Sequence, residues 1–192
     1  SVVCRDSKGK IQKIEFLDLY EAGTPLSAPL AGPGPNNRSP KFTSESVLLN
    51  ARLVLLKKIH PRLADQFAKR LKQIPEEITL KDGIRLVKVD DSLHAFEPKE
   101  KDCATEQLAI RKAVVYNSAD RFVIDDELWS ALSVRSCAAL LSHEIIYEYF
   151  FKLGETDSRK ARIFNALLWS DGFSKLSKPA YWQKIRDLKI AI

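Results

Sequence analysis

The chain contains no methionine. A chain that opens on Ser1 with no initiator is expected to be a processed product, and removal of a signal peptide is the preferred reading. A long apolar run is missing too. Nothing approaches the roughly 18 consecutive apolar residues of a membrane span, so no transmembrane segment is expected here. GxSxG is absent, which removes the nucleophile elbow of serine hydrolases. GxxxxGK[ST] and GxGxxG are absent as well, which removes the familiar phosphate loops.

Cysteine is scarce. The three present, Cys4, Cys103 and Cys137, show no CxxC spacing and so lack the usual pattern of a thiolate zinc site. Cys137 lies in an apolar helical segment, where a buried thiol is the ordinary outcome. Cys4 and Cys103 sit at the edges of strand-like segments. If the chain is exported they are the expected disulfide pair; in a reducing compartment they stay thiols.

What is there fits a folded domain. A length of 192 residues with 45 % hydrophobic content supports one core, so a single domain 1–192 is expected. The formal charge of +6 raises the question of nucleic acid. The basic residues are scattered, acidic ones are interleaved, and no aromatic–basic stacking pattern appears. No nucleic-acid partner is expected, whereas attraction to an anionic envelope surface stays open.

Along the chain, "VVC" and "IQKIEFLDLY" read as two strands around the turn "RDSKGK". A Pro/Gly-rich loop at 23–42 sustains neither helix nor interior strand. Helices are expected at about 44–59 and 61–73, restarted by Pro61. "ITLKDGIRLVKV" reads as a hairpin around Asp82-Gly83. "ATEQLAIRKAVVY" and "RFVID" give further strands around Asn117-Ser118. A helical region starts at "DDELWSAL", followed by helices near 134–153, 156–170 and 179–190. Strands first and helices last argue for an α+β fold, an antiparallel sheet packed against a C-terminal helical bundle.

Within "CAALLSHEIIYEYFFKLGETDSRKAR", residues 137–153 are apolar on nearly every side, as in a buried helix. His143 and Glu144 therefore need partners or a solvent-filled cleft, because an unpaired buried charge costs several kcal/mol. His143 and Tyr147 share a face, with Glu144 beside them. On the next helix Ser158, Arg162, Asn165 and Trp169 also share one face. A short Gly-containing link makes the two helices antiparallel neighbours. The six residues His143, Glu144, Tyr147, Ser158, Arg162 and Asn165 then form one polar cluster, in which Arg162 can offer Glu144 an ion pair. Glu15, Asp18 and Glu21 read as a solvated acidic cluster. His60 and His94 read as surface histidines, and Tyr181 and Trp182 as aromatics that cap the core.

"HEIIY" resembles the HExxH helix of zincin metallopeptidases, where two histidines bind zinc and the glutamate activates its water. The order "RFVIDDELW…AALLSHE" is similar to the edge strand and active-site helix of that fold. "NALLWSD" resembles the NExxSD segment of thermolysin-like members, which supplies a third ligand. Carried over, the resemblance implies His143 as metal ligand and Glu144 as general base. Tyr147 stands at the second histidine and Ala166 at the third-ligand glutamate. Across the chain, "VVCRDSKGKIQKIEFLDLYEAG", "EQLAIR", "IDDELW", "LSHEIIY" and "DSRKARIFNALLWSD" together resemble an uncharacterised exported protein family of predatory and related Gram-negative bacteria. That resemblance implies a periplasmic or cell-envelope setting.

Two functions follow as expectations. One is a non-catalytic, zincin-like binding or interaction module whose partner is an envelope protein, a peptide or a glycan, with no cofactor. The other is a peptidase-like hydrolase, either zinc-assisted or using Glu144 as general base, with Tyr147 and Arg162 stabilising charge. His143 and Glu144 can also be a purely structural polar network. Whether the cluster opens onto a pocket decides among these.

Overall fold

The computed structural model describes residues 1–27, 42–87, 98, 100–112 and 121–190. Most of the Pro/Gly-rich loop 23–42, the Asn117-Ser118 turn and His94 lie outside them. The fold is α+β: among the described residues, seven α-helices accompany two three-stranded sheets.

The first sheet grows from the N-terminal hairpin. β1 (Val2–Arg5) and β2 (Ile11–Glu15) pair antiparallel. Their turn is closed by the Asp6 carboxylate, which accepts the backbone N–H groups of Lys8 and Lys10. Gly9 supplies the positive φ of +80° that the turn needs. β4 (Cys103–Thr105) joins the other edge of β1 in antiparallel register, with Cys4 opposite Cys103. A disulfide joins that pair.

The second sheet runs β3 (Ile78–Lys81), β6 (Phe122–Asp125), β5 (Ala109–Arg111). β3 lies parallel to β6, and β5 antiparallel to it. The expected hairpin around Asp82-Gly83 is therefore not formed. Gly83 turns the chain at φ +67°, but β3 spends its ladder on β6, which is buried along its whole length. A strand buried on both faces attracts partners on both edges, and a parallel partner serves. Leu86, beyond the turn, makes only an isolated bridge to Gln107.

The segment expected as one strand over 11–20 also divides. After Phe16 the chain winds into α1 (Leu17–Glu21). A strand would have alternated Asp18 away from Leu17 and Leu19, whereas the helical turn buries all three.

The helices follow their sequence signals closely. α2 (Thr43–Ile59) and α3 (Pro61–Leu71) break at His60, with Pro61 at the start of α3, where its missing N–H costs nothing. α4 (Asp126–Ala131) is capped by Asp125, which accepts the Leu128 N–H. α5 (Val134–Lys152) is capped by Ser133 and packs against α2, α3 and α6. α6 (Arg159–Trp169) and α7 (Lys178–Asp187) complete the chain. Gly154, at φ +98°, ends the turn after α5. One hydrophobic cluster runs through both sheets and all the long helices, with Ala138, Ala139, Leu141, Ile146 and Phe150 of α5 at its centre. Cys137 is a buried thiol whose S–H points to the Trp129 carbonyl.

Candidate functional site

α1, α5 and α6 meet around one carboxylate. Asp18 of α1 is almost completely buried, at 1 % exposure. The His143 Nδ1–H of α5 donates to Asp18 Oδ2 over 2.8 Å, and the Asn165 Nδ2–H of α6 donates to the same oxygen over 2.7 Å. Asn165 also donates to the Ala139 carbonyl at 2.9 Å and accepts the Ser142 hydroxyl at its own Oδ1. Trp169 Nε1–H in turn donates to Ser142 Oγ over 2.7 Å. The result is a directional chain, Trp169 to Ser142 to Asn165 to Asp18, that presents Asp18 as an acceptor to His143. Each buried polar group in it is satisfied, which is the condition for such a network to add rigidity rather than cost stability.

Burial pulls the His143 imidazole pKa down. The adjacent Asp18 carboxylate, by charge and hydrogen bond, and the charge of Glu144 push it up, and they prevail over burial and the opposing Arg162 charge. The net shift is upward from the ordinary 6.5. Phe16 packs its edge against the ring at 5.9 Å and fixes its plane from the other side.

This arrangement opens onto solvent. A cleft of about 100 Å³ is walled by Asp18, His143, Glu144, Ser158 and Arg162 on the helical side. The opposite wall is the extended segment 105–109 that links the two sheets. Glu144 and Arg162 are both buried, at 9 % and 4 % exposure, although they line it. Arg162 Nε lies 3.5 Å from Glu21 Oε2. On the far wall Glu106 is held in a bidentate pair by Arg5, which also grips Glu127. Those two carboxylates raise the Arg5 pKa further, so it stays cationic.

Of the six residues expected to cluster, His143, Glu144, Ser158 and Arg162 share the cleft, and Asn165 supports it from beneath. Tyr147 does not line it. It lies one turn along α5, with the Arg111 guanidinium 5.0 Å over its ring. The acidic trio departs most from expectation: Glu15 and Asp18 are buried rather than solvated, and Glu21 faces Arg162. Burial raises the Glu15 pKa, only partly offset by hydrogen bonds from the Ser136 hydroxyl and the Phe16 N–H and by the Arg135 charge. The spacing Glu15, Asp18, Glu21 is itself helical, and it was the available signal for Asp18. Ser142 could not have been found from the sequence, because its role depends on Asn165 and Trp169 reaching it from another helix. His60 is not a plain surface residue either: its Nδ1 lies 3.1 Å from the hydroxyl of fully buried Tyr181.

The donors fit zinc poorly. A carboxylate-bound imidazole is a common metal-ligand arrangement. However, Tyr147 sits beneath a cation and Ala166 has no donor. Among the described residues no three His, Cys, Asp or Glu side chains are grouped to hold a metal. The site's own chemistry is therefore that of an imidazole of raised basicity, a carboxylate and a guanidinium around one solvent-filled cleft. Compared with family models, with curated proteins and with solved structures, the chain matches none.

Proposed function

We propose that this is an exported envelope protein, related to the exported family its segments resemble, whose α1–α5–α6 cleft binds a polar group of a peptide or glycan without a metal. The observation that carries this reading is the burial of Glu144 and Arg162 beside the Asp18–His143 pair in the wall of an open cleft. Charged groups buried only to stabilise a core are costly. Charged groups kept desolvated at a cleft wall recognise a ligand strongly. The Cys4–Cys103 disulfide supports an oxidising compartment.

The test is a thermal-shift screen of untagged protein against short peptides and oligosaccharides, with hits repeated on Glu144→Gln and His143→Gln. At a hundredfold excess over Kd, binding adds about 2.7 kcal/mol, which for a chain of this size is roughly 5–10 °C in Tm. The reading requires a hit whose shift is lost in both variants. Hits that shift all three proteins equally would sink it.

A hydrolase is the second reading, favoured by the Asp18–His143 contact. Glu144 would take a proton from water as its hydroxyl adds to an acyl carbon, with Arg162 stabilising the oxyanion. The bond to the leaving group then breaks, and the His143 imidazolium protonates that group. Transfer of the Glu144 proton back to His143 through solvent closes the cycle. Tyr147, outside the cleft wall, has no part in this version. Turnover of a bound ligand, lost in Glu144→Gln while binding persists, separates catalysis from binding alone. Elemental analysis tests the zinc alternative: stoichiometric zinc that disappears in His143→Ala would replace both metal-free readings.

A further inference from the structure

Beyond the cleft, the face of α5 that carries His143 runs on. Along α5, His143, Tyr147 and Phe151 succeed one another at one-turn spacing on a single face. β5 runs opposite: Ala109 lines the cleft, and Arg111, two residues on and about 6.6 Å further along the strand, shares its side of the sheet. The Arg111 guanidinium lies 5.0 Å over Tyr147 and 4.8 Å over Phe151. It is half-buried, and among the described residues it makes no salt bridge. The neighbouring carboxylate on α5, Glu148, is committed elsewhere, to Arg70, Arg121 and Lys152. Phe151 meanwhile leaves half its surface in solvent, at 51 % exposure. A guanidinium held by ring contacts, with no carboxylate on it among the described residues, has N–H groups to offer a planar anion.

We propose that Arg111, Tyr147 and Phe151 form a carboxylate subsite next to the cleft, one turn along α5 from His143, which takes the free C-terminal carboxylate of a peptide and seats its apolar last side chain on Phe151. The proposal rests on the cleft being a ligand site, and it narrows the ligand from peptide or glycan to a peptide with a free C-terminus. Two features favour a peptide over an acidic sugar. The exposed ring offers apolar area beside the cation, and the strand segment 105–111 supplies an extended wall against which a short main chain can lie.

The probe is N-acetylphenylalanine, with N-acetylphenylalanine amide and glucuronate as controls, followed by two-dimensional amide and Arg Nε–H NMR. Saturable shifts are expected at Arg111 and along 147–151. The amide and the Arg111→Gln variant should each bind about tenfold more weakly, a loss of about 1.4 kcal/mol. Phe151→Ala should weaken binding several-fold. Arg111→Lys keeps the charge without the planar fork and should lie between wild type and Arg111→Gln, so it serves if Arg111→Gln misfolds. Equal binding of acid and amide, undiminished binding by Arg111→Lys, tighter binding of glucuronate, or no saturable shift would each overturn the assignment. Arg111→Gln and the amide control bear on the subsite alone: loss of the probe there supports it even if the cleft ligand is never found. Failure of the probe leaves the thermal-shift test of the cleft intact.

Discussion

His143 and Asp18, 125 positions apart in the chain, meet through a 2.8 Å hydrogen bond in which the ring Nδ1–H donates to a carboxylate that is 1 % exposed. The bond fixes which imidazole nitrogen is committed, leaving Nε2 as the atom a cleft ligand would meet. Asp18→Asn removes the charge that opposes burial, so the His143 pKa is expected to fall below its wild-type value. NMR titration of the ring measures this directly. The sign for stability follows. A histidine whose folded pKa is raised contributes fully below its unfolded value near 6.5 and loses that contribution as pH rises through the folded value. The stability gap between wild type and Asp18→Asn should therefore narrow on going from pH 6 to pH 9. A gap that widens would mean that Asp18 acts on something other than His143.

Asn165 holds Asp18 from the other side and has no exposed surface. Asn165→Asp changes one atom type but sets two carboxylates at hydrogen-bonding distance, which cannot both ionise cheaply. The variant should lose about 3 kcal/mol at pH 8 and recover part of it near pH 5, where one carboxyl takes a proton. Urea unfolding at the two pH values measures this, and a loss independent of pH would point to packing rather than charge.

The helices were legible because their signals are local. Pro61, Ser133, Ser177 and Gly154 mark ends that depend on the adjacent turn alone. The polar face of α6 was legible for the same reason, since Ser158, Arg162 and Asn165 follow helical spacing. Sheet pairing was not. β3 chooses β6 over the nearer segment after Gly83 because β6 is buried on every residue and offers a free edge, a preference that no short stretch encodes. Asp18 was missed because a carboxylate between two leucines looks solvated until α6 supplies Asn165 and α5 supplies His143.

Glu15 carries the opposite cost. Burial holds its carboxyl above the ordinary 4.5 even with Ser136 and the Phe16 N–H donating to it. A carboxyl with a raised folded pKa favours the fold below about 4.5 and costs stability as pH rises through the folded value. Glu15→Gln keeps an amide oxygen for both donors and removes the buried charge. It should be near neutral at pH 4 and stabilising by about 1 kcal/mol at pH 7. Paired denaturation curves decide; equal effects at both pH values would show that the Glu15 pKa is not raised on folding.

The disulfide closes a loop of 99 positions between β1 and β4. Chain-entropy reasoning assigns a loop of that length up to about 4.7 kcal/mol, with 2–4 the common range. Replacing both Cys4 and Cys103 by alanine should lower the unfolding free energy by that common amount. Because β4 leads directly into the 105–109 wall of the cleft, the same change should weaken any cleft ligand. Ligand affinity that survives the double replacement would separate the wall's position from the N-terminal sheet.

Glu148 is 4 % exposed and bonded to Arg70, with Arg121 and Lys152 on its second oxygen. Burial pushes its pKa up, but Lys152, Arg70 and Arg121 outweigh that and leave it lowered. A carboxylate of this kind stabilises the fold above its unfolded pKa and loses that contribution as pH falls through the folded one. Arg70 also clasps Glu77 at 2.8 and 2.6 Å, tying α3 to the entry of β3. Arg70→Met keeps the aliphatic packing but strips a partner from both carboxylates. A loss of about 3 kcal/mol at pH 7 is expected, smaller at pH 4 as Glu148 protonates. Chemical denaturation across that range provides the measurement. A loss below about 1 kcal/mol at pH 7 would mean that Arg121 and Lys152 suffice, and that Arg70 serves Glu77 alone.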